Sequence, residues 1–127
     1  MEDRILKTFY NNADWIKDVK SLVAMKVLFS IFMIFDTETN IVTFVPVTRK
    51  MIMKQCKISY ASLNKAIKEL KRVEVLLPYY YTDVETGERA IDNNRYIVNP
   101  YMYCCCSLKE REELIKKYGI VKVEEES

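Results

Sequence analysis

The 127-residue chain contains no histidine. That removes the commonest general base and the commonest metal ligand. Glycine occurs only at Gly87 and Gly119, so no glycine-rich loop can cradle a phosphate. Proline is scarce too, and this composition argues against a low-complexity or disordered chain except at the ends. The four cysteines are Cys56 and the run Cys104–Cys106, with no CxxC pair. Three thiols in succession cannot all turn toward one ion. Adjacent cysteines also make a poor disulfide framework, so the thiols are expected to be reduced and the protein cytoplasmic. The run reads as small apolar residues at the entrance to the last helix. No acid, base and nucleophile converge at a recognisable spacing; no catalytic residue, cofactor or metal is expected. The first ten residues carry Glu2, Asp3, Arg4 and Lys7 and no apolar core, so no signal peptide is expected. The most apolar run, Leu22–Phe35, contains Lys26 and is too short to span a bilayer, so no membrane partner is expected.

What the chain has is a concentration of positive charge. The net charge is only +2, yet residues 48–73 hold eight basic side chains against one acid, Glu69. The segments before and after carry more acids than bases. A near-neutral protein that gathers its cations on one stretch has the footprint of a phosphate-binding surface.

The length suits one domain with a single core. Residues 2–20 read as short amphipathic helices carrying Ile5, Leu6, Phe9, Tyr10, Trp15, Ile16 and Val19, with Trp15 as buried packing. Ser21–Phe35 reads as a helix that is apolar nearly all round and so is buried on more than one side, either as the central core helix of a small domain or with its second face on a partner chain or on the N-terminal helices. Asp36–Asn40 is a polar turn and Ile41–Val45 a β-branched strand ended by Pro46. Thr48 reads as an N-cap for a helix to about Cys56, and Ser59 as the N-cap of a longer one to about Arg72. In the latter, Leu63, Ile67 and Leu70 form one buried stripe, with Ala61, Lys65, Lys68 and Arg72 opposite. Val75–Tyr81 reads as a strand that Pro78 places at an edge or a bulge. A polar loop with Gly87 at its tip follows, then a returning strand over Asn94–Val98. Ser107 and Glu110 make a capping box for a helix stopped by Gly119, and an acidic tail follows. The organisation expected is an N-terminal helical extension (1–19), a core (20–103), and a C-terminal helix with its tail (104–127).

Helix, strand, helix, helix and hairpin is the order of a winged helix-turn-helix domain. The expected fold class is therefore α+β, mostly α, with helices added at both ends. In that architecture the second helix of the pair enters the major groove and residues near its start reach base edges. Ser59, Tyr60, Ala61, Ser62, Asn64 and Lys65 are the candidates there. Asn64 suits adenine and Lys65 guanine. Lys68, Lys71 and Arg72 suit phosphates, Arg49 and Lys50 are candidate backbone clamps, and the 82–93 loop, with Arg89 in it and Arg95 just after it, is the candidate wing. Tyr79–Tyr81 invite base stacking, although alternation along a strand leaves at most two of them free.

Thr48-Arg49-Lys50, Ile58-Ser59-Tyr60-Ala61-Ser62-Leu63, Ile67-Lys68-Glu69-Leu70 and Tyr96-Ile97-Val98-Asn99-Pro100 together resemble the winged-helix core of RepL-type plasmid replication proteins of Firmicutes. The resemblance spans roughly residues 20–119 and includes the apolar Met25–Phe35 helix and Tyr118-Gly119. That family usually has glycine where this chain has Lys57 and Glu74, and a shorter wing. The resemblance implies sequence-specific binding of double-stranded DNA at a replication origin, with host replication proteins as further partners. A rolling-circle nickase would need a histidine cluster to hold its metal, so a non-catalytic initiator is the expectation. A winged-helix transcription regulator is the first alternative and a protein-interaction scaffold the second. The sequence leaves the oligomeric state open; for a homodimer, the Ser21–Phe35 helix, the N-terminal helices and the C-terminal helix are the candidate interfaces.

Overall fold

The computed structural model of the protein describes residues 19–120. The expected N-terminal helices up to residue 18, Trp15 among them, and the acidic tail lie outside the described residues. Seven elements follow one another: α1 (Leu22–Ile34), β1 (Ile41–Thr43), α2 (Pro46–Cys56), α3 (Tyr60–Arg72), β2 (Leu76–Thr82), β3 (Arg89–Val98) and α4 (Leu108–Tyr118). The α+β class is as expected. The sheet is antiparallel with order β1-β3-β2.

The core lies between α1, α2 and α3 on one side and the sheet on the other. Val27, Leu28 and Ile31 of α1 meet Ile52 of α2, Leu63, Ile67 and Leu70 of α3, and Phe44, Val75, Leu76 and Val98 from the sheet side. Each such side chain contributes about 1.5–3 kcal/mol on burial. The 63/67/70 stripe read from the sequence is buried, and Ala66 joins it.

Several element boundaries differ from expectation. α2 begins at Pro46, two residues before Thr48, and its N-cap Val45 offers no side-chain hydrogen bond. Proline at the first helical position lacks only an N–H that would go unsatisfied anyway, and its φ is already helical. So Pro46 starts the helix and Thr48 is an interior residue, while the strand expected over Ile41–Val45 already ends at Thr43. β3 begins at Arg89 and β2 runs to Thr82, so half of the expected 82–93 loop is strand and the hairpin is longer than expected. Its turn is tied by Asp83, whose Oδ1 accepts from Glu85 N–H at 2.8 Å. Pro78 does sit on an edge strand and at an irregularity. Pro78 pairs with Tyr96 but Tyr79 pairs with Asp92, so residues 93–95 have no partner on β2, while Arg95 stays paired with Thr43 of β1.

Three helices end in the same way. Lys57 after α2, Glu74 after α3 and Gly119 after α4 all have φ near +60°. In each case the next N–H reaches back to the carbonyl five residues earlier: Ile58 to Met53, Val75 to Leu70 and Ile120 to Ile115. This is the Schellman arrangement, and only the third has the glycine that makes it free of steric cost.

Two buried asparagines tie the connections. Asn40 is fully buried and also left-handed, with φ 60°. Its Nδ2 donates to Val98 O (2.7 Å) and Tyr103 O (3.0 Å). Asn99 donates from Nδ2 to Glu74 O at 2.9 Å, and its Oδ1 accepts from Tyr101 N–H at 3.0 Å.

The expectation of reduced thiols throughout is corrected. Cys104 and Cys106 are buried and joined as a disulfide, while Cys56 and Cys105 are free. The chain bends at Cys105 and Cys106, and the bend brings the Cα atoms of the flanking pair to 5.6 Å, within disulfide reach. Beside them, Tyr103 stacks on Phe32 with ring centroids 3.8 Å apart. Burial, and secondarily Cys105, push its hydroxyl up to about 12, so this phenol is neutral at any ordinary pH. The capping box of α4 forms as read, but Leu108 is 60% exposed and Leu114 is the one buried residue of that helix. No described helix is long and apolar enough to cross a membrane.

Candidate nucleic-acid interface

α3 is presented by its cap and by its buried stripe. Ser59 Oγ accepts from Ser62 N–H at 3.1 Å and donates to Ser62 Oγ at 3.1 Å. This fixes where the helix starts and commits both hydroxyls to the cap, so Ser59 and Ser62 are less available for contact than their position suggests. With Leu63, Ala66, Ile67 and Leu70 buried, the helix turns Tyr60, Ala61, Asn64, Lys65, Lys68, Lys71 and Arg72 to solvent.

The acid within the basic stretch is removed from this surface. Glu69 Oε2 accepts from the backbone N–H of Lys20 (2.7 Å) and of Ser21 (3.1 Å). Its carboxylate therefore serves the start of α1, where the helix dipole favours a negative charge. None of Lys65, Lys68, Lys71 and Arg72 forms an ion pair with a described residue. The outer face of α3 is thus uniformly cationic. Lys71 Nζ lies 5.5 Å from the Tyr96 ring. Lys71 is exposed on the same helix as Lys68 and Arg72, the two cations it is grouped with in the sequence.

Arg49 is positioned differently from a free clamp. Its Nε donates to Phe44 O at 3.1 Å and its Nη1 to Asn64 Oδ1 at 3.0 Å, and its guanidinium lies 5.6 Å from the Phe44 ring and 5.8 Å from the Tyr60 ring. Arg49 links the β1–α2 corner to the first turns of α3. It also orients the Asn64 amide with Oδ1 inward, so that Nδ2 faces away from the guanidinium. Lys50, in contrast, is exposed on α2.

On the hairpin, Arg89 lies 4.2 Å over the Tyr80 ring. Arg95 lies 5.7 Å from the Tyr79 ring and is paired with Asp92 at 3.6 Å, with 49% of its side chain exposed. Of the three tyrosines, Tyr80 and Tyr81 are exposed while Tyr79 packs edge-on against Tyr118. That agrees with at most two being free. Tyr118 donates to Thr39 O at 2.6 Å, and its hydroxyl pKa is raised by burial and then by Tyr79 and Asp36. Behind this pair, between β2 and the end of α4, is a recess of about 660 Å³ floored by Leu77 and Ile97. Among the described residues no group of three or more acidic or cysteine side chains is placed to hold a metal ion.

The hydrogen-bond roles of Glu69, Asn40 and Asn99 are what the sequence alone does not reveal. For Glu69 the signal was present, as the single acid in an otherwise basic run. Compared with family models, with characterised proteins and with solved structures, the chain matches none.

Proposed function

We propose that the protein is a winged-helix reader of double-stranded DNA, with α3 as the recognition helix and the β2–β3 hairpin as its wing. The observation that carries this reading is the uniformly cationic outer face of α3, from which the neighbouring carboxylate of Glu69 has been drawn off to the start of α1. A merely solvated helix face gains from mixed charges at i, i+3 and i+4. One with only cations repels itself and is compensated by an anionic partner. Tyr60, Ala61, Asn64 and Lys65 stand at the end of α3 that would face base edges, with Arg49 holding Asn64 in one amide orientation. Lys50, Lys68, Lys71 and Arg72 are placed for phosphates, and Arg89 for backbone contact from the wing.

The resemblance to RepL-type proteins adds the role: a non-catalytic initiator that marks a plasmid origin and gathers host replication enzymes there. A transcription regulator built on the same domain is the alternative. The test is selection of bound sites from source DNA, followed by footprinting and a salt titration. Specific sites inside a replication origin, bound with a log–log salt slope corresponding to several released ions, are expected. Sites over promoters would favour the regulator. Absence of salt-dependent duplex binding would leave only a protein-interaction scaffold.

A further inference from the structure

α1 buries Ala24, Val27, Leu28 and Ile31 in the core and still exposes a second apolar stripe. Leu22 is 71% exposed, Phe29 55% and Met33 77%, and the one charged residue among them is Lys26. These four positions are spaced by four, three and four residues, so they lie along one side of the helix. We propose that this stripe is the interface between two copies of the chain, with α1 packed antiparallel on α1 of its partner about a two-fold axis midway between Lys26 and Phe29.

The spacing identifies the occupant. A two-fold contact must be self-complementary, each residue meeting the one that meets it in return. About that midpoint Leu22 meets Met33 of the other copy, and Lys26 meets Phe29. The first pair is apolar on apolar. The second sets an ammonium against an aromatic face, a favourable contact that is stronger once partly desolvated. The lysine stem also covers apolar surface while its head reaches the edge. A parallel pairing would instead set Lys26 against Lys26. Antiparallel helices additionally oppose their dipoles favourably. The proposal does not rest on DNA recognition by α3.

The contact involves few side chains and falls below the roughly 800 Å² per partner of a standard interface. A reversible dimer with a Kd on the order of micromolar to tens of micromolar is therefore expected. Sedimentation of the full chain across about 1–300 µM tests it, a range that brackets that Kd. Monomer–dimer exchange is the expected result. Met33→Glu should weaken it at least about tenfold by setting a carboxylate against Leu22 of the other copy. Adding Leu22→Lys should recover at least about threefold, since the new charges then oppose each other in this register alone. Both side chains are exposed, so circular dichroism should show all variants folded.

A monomer throughout that range overturns the proposal. So does a dimer indifferent to Met33→Glu, or a double variant no tighter than the single. A monomeric chain whose thermal midpoint falls by several degrees on Met33→Glu would mean that the stripe is covered by the chain itself, and it too overturns the proposal.

Discussion

α1 and α3 are built alike and face the solvent in opposite ways. Each is a helix of 13 residues, each is capped by a serine whose hydroxyl accepts from a backbone N–H three residues on, and they pack against each other in the core. Each also has an outward stripe with the same 4-3-4 spacing. In α3 that stripe is Ala61, Lys65, Lys68 and Arg72; in α1 it is Leu22, Lys26, Phe29 and Met33. The two-fold operation that sets lysine on phenylalanine in α1 would set Lys65 on Lys68 in α3. Cap, length and buried stripe therefore make the helix, and the outward stripe alone decides what class of partner it can meet. Glu69 joins the two helices: it lies on α3 and caps α1.

Reversing charge on one stripe is the strongest way to separate the two. Lys65→Glu with Lys68→Glu should lower duplex DNA affinity by on the order of 100-fold or more near physiological salt and flatten its salt dependence by about two released ions. Fluorescence anisotropy at several salt concentrations measures both. Thermal stability should hardly change, because both lysines are exposed and without ion-pair partners among the described residues. An unchanged affinity would remove α3 as the reading helix.

The link between the helices is next in size. Glu69→Ala leaves the N–H groups of Lys20 and Ser21 without their acceptor, at a cost of about 1–3 kcal/mol. Urea unfolding should show that loss. DNA affinity of the folded variant should stay the same or rise slightly, since no charge is withdrawn from the outer face of α3. A fall in affinity at unchanged stability would mean that the carboxylate acts on the DNA side after all. A similar loss, about 1–3 kcal/mol, is expected for Asn99→Ala, which frees the carbonyl of Glu74 at the end of α3.

Much of this was legible before the fold was known, for reasons that can be named. The stripe Leu63, Ile67 and Leu70, the Ser59 cap and the Ser107–Glu110 capping box are local patterns whose physics is completed within a turn or two of helix. Pro78 announced both its edge position and its irregularity because it lacks an N–H for a ladder. The parts that were not legible depend on distant partners. Asn40 reads as a turn residue, yet it reaches Val98 and Tyr103, some sixty positions away in the chain. Glu69 reads as surface charge because its acceptor role involves Lys20 and Ser21, 49 and 48 residues earlier. Thr48 was misread because a proline two residues before it starts the helix without needing a side-chain cap. The Cys104–Cys106 pairing is not legible because it depends on a backbone bend at Cys105 and Cys106 that no local pattern announces.

The smallest effects concern the ends of α2 and α3. Lys57 and Glu74 hold the same left-handed position that Gly119 holds after α4, with the same backbone hydrogen bond closing each turn. A side chain at that φ brings its Cβ close to the following carbonyl, at a cost of about 1 kcal/mol. Lys57→Gly and Glu74→Gly should each relieve that crowding, and the greater freedom of glycine in the unfolded chain offsets part of the gain. The expected net is a stabilisation of up to about 1 kcal/mol for each, read as a higher urea midpoint at unchanged slope. The two should add, since they end different helices and share no partner. They should differ in one respect. Lys57 adds a cation beside the turn before α3, whereas Glu74 adds an acid just after it. Lys57→Gly should therefore weaken DNA binding slightly at low salt, while Glu74→Gly should strengthen it slightly. If both variants were destabilised instead, the strain at these turns would be compensated by side-chain contacts that the backbone alone does not reveal, and the comparison with Gly119 would fail.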